Sequence, residues 1–178
     1  MTADDVLHFW FQQCRPWQWF RRRDSFDALV RDRFAALVEH ALAGDLQEWA
    51  DEPPGGLALV LLLDQFSRQI WRGEARAFSG DQQALAVALM GLQQGWVAAE
   101  SQRPRRQFWL MPLLHSEEEA VVAKAIPLLD QWADVATADV ARRNLMQLQR
   151  FNRYPQRNAA LGRSSSRDEI LFLQQLHR

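Results

Sequence analysis

The chain has 178 residues, 48% of them aliphatic or aromatic and 24% charged, a balance that suits one globular domain with a substantial core and excludes a disordered or fibrous chain. A formal net charge of −1, with acids and bases interspersed, provides no field that would draw the protein to nucleic acid or to an anionic membrane. Cys14 is the sole cysteine, which excludes an internal disulfide or a cysteine metal cluster and fits a reducing, cytoplasmic compartment.

Thr2, Asp4 and Asp5 suit a helix start ahead of Val6, Phe9 and Trp10, and Pro16 follows shortly after. Met1 to Arg15 lacks the basic start, apolar stretch and small-residue cleavage site of a signal peptide, so export is not expected. Trp17 to Arg23 reads as an aromatic and then basic loop, closing at Asp24 or Ser25 as an N-cap. Phe26, Leu29, Val30, Phe34, Leu37, Val38, Ala41 and Leu42 form one apolar stripe that Gly44 ends. Glu52 to Gly56 marks a break, after which Leu57 to Trp71 predicts a central helix that begins apolar on every side and is therefore buried. Its apolar run, Leu57 to Leu63, is far shorter than the ~20 residues that cross a bilayer, and membrane insertion is not expected.

Ser79 or Asp81 can cap a fourth helix carrying Leu85, Leu89, Leu92 and Trp96, with Ala84, Ala86, Ala88 and Gly91 allowing close approach of a neighbour. Pro104 to Pro112 reads as a short aromatic segment. Ser116 and Glu119 fit a capping box for a helix toward Trp132, bent or broken at Pro127. A further helix is predicted over about Thr137 to Phe151, irregular backbone over Tyr154 to Arg163, and a last helix, capped by Ser166 with Glu169, through Leu176. No alternating run predicts a strand. The pattern is an all-α domain over 1–178, built of stacked antiparallel helical hairpins, although no ~34-residue repeat is evident.

Three stretches carry candidate chemistry. In Leu63 to Gly73, Asp64, Arg68 and Arg72 recur one helical turn apart beside Gln65. Desolvated arginines need partners for five donors, so these either lock helices together or hold a ligand. In Leu110 to Glu118, His115 precedes a predicted helix start, a place for an acid–base group, with Glu117 beside it; capping and a satisfied histidine explain the same residues without function. In Arg150 to Arg163, Arg153, Arg157 and Arg163 stand with Tyr154 and Asn158 on irregular backbone, either as a solvated loop, as an anion site, or as a bridge to Asp64 and Asp81. His8, His40, His115 and His177 have no metal-ligand spacing, so no metal and no cofactor is predicted. Nor is there a nucleophile elbow or a glycine-rich phosphate loop.

On these stretches the chain resembles the bacterial domain-of-unknown-function family 924. The likeness runs from Val6 to Phe11, through Phe26-Asp27, Leu57 to Gly73, Phe78 with Asp81, and Met111 to Glu117, to Arg150 to Arg163. The resemblance implies an all-helical, tetratricopeptide-like fold and no particular activity. Where relatives usually read Phe-Pro-His-Arg-Asn this chain reads Tyr154-Pro155-Gln156-Arg157-Asn158; Asn144 replaces a second histidine and Gln69 an asparagine. Of that histidine set this chain keeps His115.

Two functional readings follow. The leading one is a non-catalytic binding module that holds a peptide, a protein partner or a small anionic molecule in a groove lined by Arg68, Arg72, Arg153 and Arg157, with a homodimer possible through the N-terminal aromatics. The other is an acid–base enzyme in which His115 or Glu117 moves a proton, Asp64 orients a partner, and the arginines hold an anionic substrate.

Overall fold

The computed structural model describes residues 1–176, and every regular element among them is helical. His177 lies outside the described residues. The first helix, α1 (Ala3–His8), starts with a reciprocal capping box between Thr2 and Asp5 and runs on into a π-helical turn over Phe9–Gln13. Next come α2 (Pro16–Phe20) and α3 (Asp24–Ala43), the latter closed by Gly44 in the left-handed conformation that its missing side chain permits. The stretch expected to be a loop thus holds a one-turn helix. Pro16 starts it, and the Trp19 indole N–H fixes it by donating to the Trp10 carbonyl at 2.9 Å.

The central helix is longer than its apolar run. It begins at Pro53, because the break residues Pro53 to Gly56 form its first turn, and continues as α4 (Pro53–Val60), a π-helical segment (Leu61–Phe66) and α5 (Ser67–Ile70). Leu57 to Phe66 is buried without interruption, with α1, α3, α6 (Asp81–Gln93) and α8 (Arg103–His115) packed around it. Each fully buried leucine or phenylalanine here contributes roughly 1.5–3 kcal/mol by leaving water. Gly56 and Gly91 give the Trp109 ring its place, since a Cβ on either would lie 2.7 Å from it.

Beyond α6, Gly95 in the left-handed region separates α7 (Trp96–Ala99), so Trp96 belongs to a helix of its own. The stretch read as a short aromatic segment is most of the 13-residue α8: Pro104 lies in its first turn, where no intrahelical N–H is needed, and Pro112 lies inside it. Ser116 ends α8 instead of capping the next helix, and its hydroxyl accepts the Glu118 N–H at 3.1 Å. The following α9 (Glu119–Trp132) passes through Pro127 as one helix; Pro127 and Ala123 are exposed, so the carbonyl left without a partner meets water. Ala133 and Asp134 link α9 to α10 (Val135–Phe151), which packs along it. After a 3₁₀ turn at Pro155–Arg157, α11 (Arg167–Leu176) starts with the expected Ser166–Glu169 box. None of the described helices is long and apolar enough to cross a membrane.

Candidate functional site

Asp64 has no exposure to solvent, a costly place for a carboxylate unless every oxygen is engaged. It sits in the π-helical segment, a geometry that rotates the residues after it relative to a regular α-helix. His115 Nδ1 reaches its two oxygens at 2.8 and 3.0 Å, Gln65 Nε2 donates to Oδ2 at 2.5 Å, and Arg68 Nη1 lies 3.0 Å from Oδ1. Burial alone would raise the Asp64 carboxyl; the charge of Arg68, followed by His115 and Gln65, outweighs burial and holds it well below the usual carboxylate range. Asp64 is therefore ionised and acceptor-only, and the His115 nitrogen facing it must carry a proton. Nε2 of the same ring makes no hydrogen bond within the described residues, so in the neutral ring it holds a free lone pair.

His115 is the last residue of α8, and the chain fixes that helix end firmly. Tyr154 Oη donates to the Leu114 carbonyl at 3.0 Å, Asn144 Nδ2 donates to the same oxygen at 2.8 Å, and Arg157 Nη2 donates to the His115 carbonyl at 2.6 Å. These are carbonyls that a helix C-terminus leaves without partners. Glu117, two residues on, accepts the Tyr154 N–H at 2.7 Å and both ends of the Arg163 fork at 2.8 and 3.0 Å. Burial would raise its carboxyl, but Arg163 and the Tyr154 N–H lower it further than burial raises it. Asn158, itself buried, accepts from Arg163 Nε at 3.0 Å.

Arg68 and Arg157 converge on Asp81, the first residue of α6. Arg68 Nη2 and Arg157 Nη1 donate to Asp81 Oδ2 at 2.9 and 3.0 Å. Asp81 Oδ1 lies 2.9 Å from Arg68 Nη1 as an ion pair without hydrogen-bond alignment. Phe78 supports both guanidiniums, at 5.5 Å from Arg68 and 4.6 Å from Arg157. Burial pulls Arg157 below the ordinary arginine value, Arg68 adds to that pull, and Asp81 opposes it. The approach of α6 depends on Gly80, where a Cβ would stand 2.5 Å from the Leu63 carbonyl oxygen.

The structure thus unites Asp64, Gln65, Arg68, Asp81, His115 and Arg157, with Glu117, Arg163 and Asn158 adjoining. It does not bring Arg72 or Arg153 to them. Arg72 lies past the end of α5, where Trp71 leaves helical geometry, and binds Asp27 through both nitrogens of its fork. Arg153 binds Glu169 in the same bidentate way and holds its carboxyl at about 2. The four-arginine groove expected from the sequence is therefore not assembled. Arg68, Arg157 and Arg163 face Asp64, Asp81 and Glu117, so the cluster balances its own charge.

Three clefts meet at His115. One of about 280 Å³ runs over Arg68, Phe78, Asn144, Tyr154, Gln156 and Arg157, and one of about 330 Å³ over Phe78, Asp81, Pro112, Glu117 and Arg157. The third, of about 340 Å³, is mainly apolar and lies between Phe20 of α2, Met111 and Leu114 of α8, and Thr137 and Val140 of α10. Asn144 and Tyr154, which hold the end of α8, were not among the expected site residues; the buried carbonyls they satisfy leave no sequence signal. Among the described residues no group of three or more His, Cys, Asp or Glu side chains is placed to hold a metal ion.

Residues 6–176 match the family model described as a bacterial protein of unknown function (DUF924). Among solved structures the chain is similar to a protein of unknown function from Agrobacterium tumefaciens, with 31% identity, a TM-score of 0.90 and 97% of each chain covered. Comparison with curated proteins gives no match.

Proposed function

Starting from a chain that belongs to the DUF924 family of bacterial proteins of unknown function, we propose that it is a small acid–base enzyme in which His115 takes up and returns the proton. The observation that carries this reading is the pairing of a fully buried, ionised Asp64 with His115 Nδ1 at 2.8 Å, while Nε2 has no partner among the described residues in a ring that lines three clefts.

A substrate O–H, N–H or activated C–H placed within hydrogen-bond reach of Nε2 gives its proton to that nitrogen. The imidazolium so formed lies against the Asp64 carboxylate, which steadies the charge and keeps the ring in one orientation, and Nε2 then delivers the proton to the leaving or product atom. A positioned acid–base group of this kind contributes about 10²- to 10⁴-fold in rate. Arg68 and Arg157 fix the acids and the end of α8 around the ring. The charge balance of the cluster argues against the anionic substrate that the arginines first suggested.

The binding-module reading loses its arginine-lined groove, because every arginine of the cluster is already paired, and what remains of it is a ligand held without turnover in the clefts at His115. Incubating a bacterial metabolite extract with wild type and with His115→Gln, and following it by mass spectrometry, separates the two. The enzyme reading expects a metabolite that the wild type consumes and the folded variant does not. A metabolite retained by both and altered by neither would give the binding module.

A further inference from the structure

We infer that the ligand of the His115 site places an uncharged or cationic, apolar body in the cleft between α2, α8 and α10, and that anionic ligands are refused there. This rests on His115 being the working group, and it adds what that group acts upon. The cleft, about 340 Å³, suits a bicyclic ring or a short branched chain and has His115 in its wall.

Phe20 and Val140, both large apolar residues left exposed, line this cleft, at 57% and 37% exposure. Phe20 is held in place by stacking on Phe108, with ring centroids 6.0 Å apart and planes 6° from parallel. Met111 and Leu114 complete an apolar wall on α8.

The polar groups of the cleft decide the charge of the ligand. Among the described residues no lysine or arginine lines it. Its one anion-binding feature, the N-terminus of the 17-residue α10, is already filled by the chain's own Asp134, whose Oδ1 accepts the Thr137 N–H at 2.7 Å and the Thr137 hydroxyl at 2.8 Å. Thr137 Oγ1 in turn accepts from Gln107 Nε2 at 2.8 Å. Asp134 has no ion-pair partner among the described residues, so a second carboxylate or phosphate entering here meets a like charge without a compensating cation.

The test uses three probes with one apolar body and different charges: indole, tryptamine and indole-3-acetate. Their binding is followed by titration against the His115 ring signal in NMR, for the wild type, Ala136→Trp and Asp134→Asn. Ala136 is an exposed residue of the rim, so tryptophan there fills the cleft without entering the core. Asparagine at 134 keeps the cap and removes the charge.

The expected result is that indole and tryptamine move the His115 signal, that indole-3-acetate binds at least tenfold more weakly than indole, and that Ala136→Trp weakens all binding at least tenfold. Asp134→Asn should bring indole-3-acetate to within a few-fold of indole. Equal or tighter binding of indole-3-acetate by the wild type, indifference to Ala136→Trp, or no response to any probe at millimolar concentration would overturn the inference. Probe binding by a protein that converts no metabolite would keep this inference and remove the catalytic reading; turnover lost in His115→Gln but untouched by Ala136→Trp would do the reverse.

Discussion

Arg72 closes on Asp27 through two hydrogen bonds, Nε to Oδ2 at 2.6 Å and Nη2 to Oδ1 at 2.9 Å, tying the end of the central helix to the first turn of α3. Those bonds, the larger influence, together with the Asp27 charge, outweigh partial burial and raise Arg72 above the ordinary arginine value. Arg72→Ala leaves a nearly buried carboxylate without its partner. Because the Arg72 side chain is about one-third exposed, water recovers part of the loss, and the expected cost is about 1–2 kcal/mol. Urea unfolding should show that loss while indole still moves the His115 signal as in the wild type. A variant as stable as the wild type would remove the locking role; one that folds and no longer takes indole would tie Arg72 to the cleft.

Asp64→Asn is expected to change both stability and tautomer. The substitution keeps the shape but removes the charge that faces Arg68 inside the protein, and breaking a buried pair in this way costs about 3–5 kcal/mol. The amide can also turn its N–H toward His115 Nδ1, shifting the ring proton to Nε2 and cancelling the lone pair that catalysis needs. Long-range ¹⁵N–¹H spectra of the ring near neutral pH should place the proton on Nδ1 in the wild type and on Nε2 in the variant. A wild-type ring protonated only on Nε2 would contradict the site as described.

Local rules made the helices legible and left their meeting points hidden. Gly44 and the Ser166–Glu169 box are visible because capping acts within four residues of chain. The apolar run from Leu57 predicted a buried centre, but its start at Pro53 was obscured because the same Pro-Pro-Gly-Gly reads as a break or as a first turn packed close to Trp49. Asp64 and Arg68 were readable as neighbours on one helix. A bridge from the 153–163 arginines to Asp81 was one of the readings open in the sequence, but no spacing singles out Arg157 for it across 76 positions, nor matches His115 to Asp64 across 51 or Arg72 to Asp27 across 45. Which arginine joins the site and which locks a remote helix is set by the packing of α3, α6 and α8, and one chain gives no periodic signal for it.

Four carboxyls among the described residues are held below their ordinary values; Asp5 is one, at the exposed Thr2 capping box, and acid should destabilise the protein chiefly through the other three, which tie distant parts of the chain together. Asp64 is lowered against its burial by Arg68 and His115, Glu117 against its burial by Arg163 and the Tyr154 N–H, and Glu169 chiefly by Arg153, to about 2. A carboxyl whose folded value is depressed stabilises the fold fully above its ordinary value, 3.8 for aspartate and 4.5 for glutamate, and loses that contribution as pH falls through the folded value. Stability measured in urea should therefore fall steadily from about pH 4.5 toward pH 2. Glu169→Gln, with one such group fewer, should lose less over that interval than the wild type; equal slopes would remove Glu169 from the account.

Gly80 gives the sharpest test of how the site is assembled. Its φ of −89° is open to any residue, so the requirement for glycine comes from space alone. An alanine Cβ would stand 2.5 Å from the Leu63 carbonyl oxygen and 3.0 Å from its Cα, and both are backbone atoms of the buried central helix that cannot swing aside. Relief requires the start of α6 to move outward, which carries Asp81 away from Arg68 and Arg157 and loosens the arginine that holds the His115 carbonyl. The expected cost of such overpacking is about 1–3 kcal/mol. Gly73→Ala is the matched control, because Gly73 has open space around it but a φ of +85°, and its loss of about 1 kcal/mol should come from backbone strain alone. Both variants should melt below the wild type, and only Gly80→Ala should alter the His115 ring signal and its response to indole. An unchanged signal in Gly80→Ala would mean that α6 does not govern the position of His115.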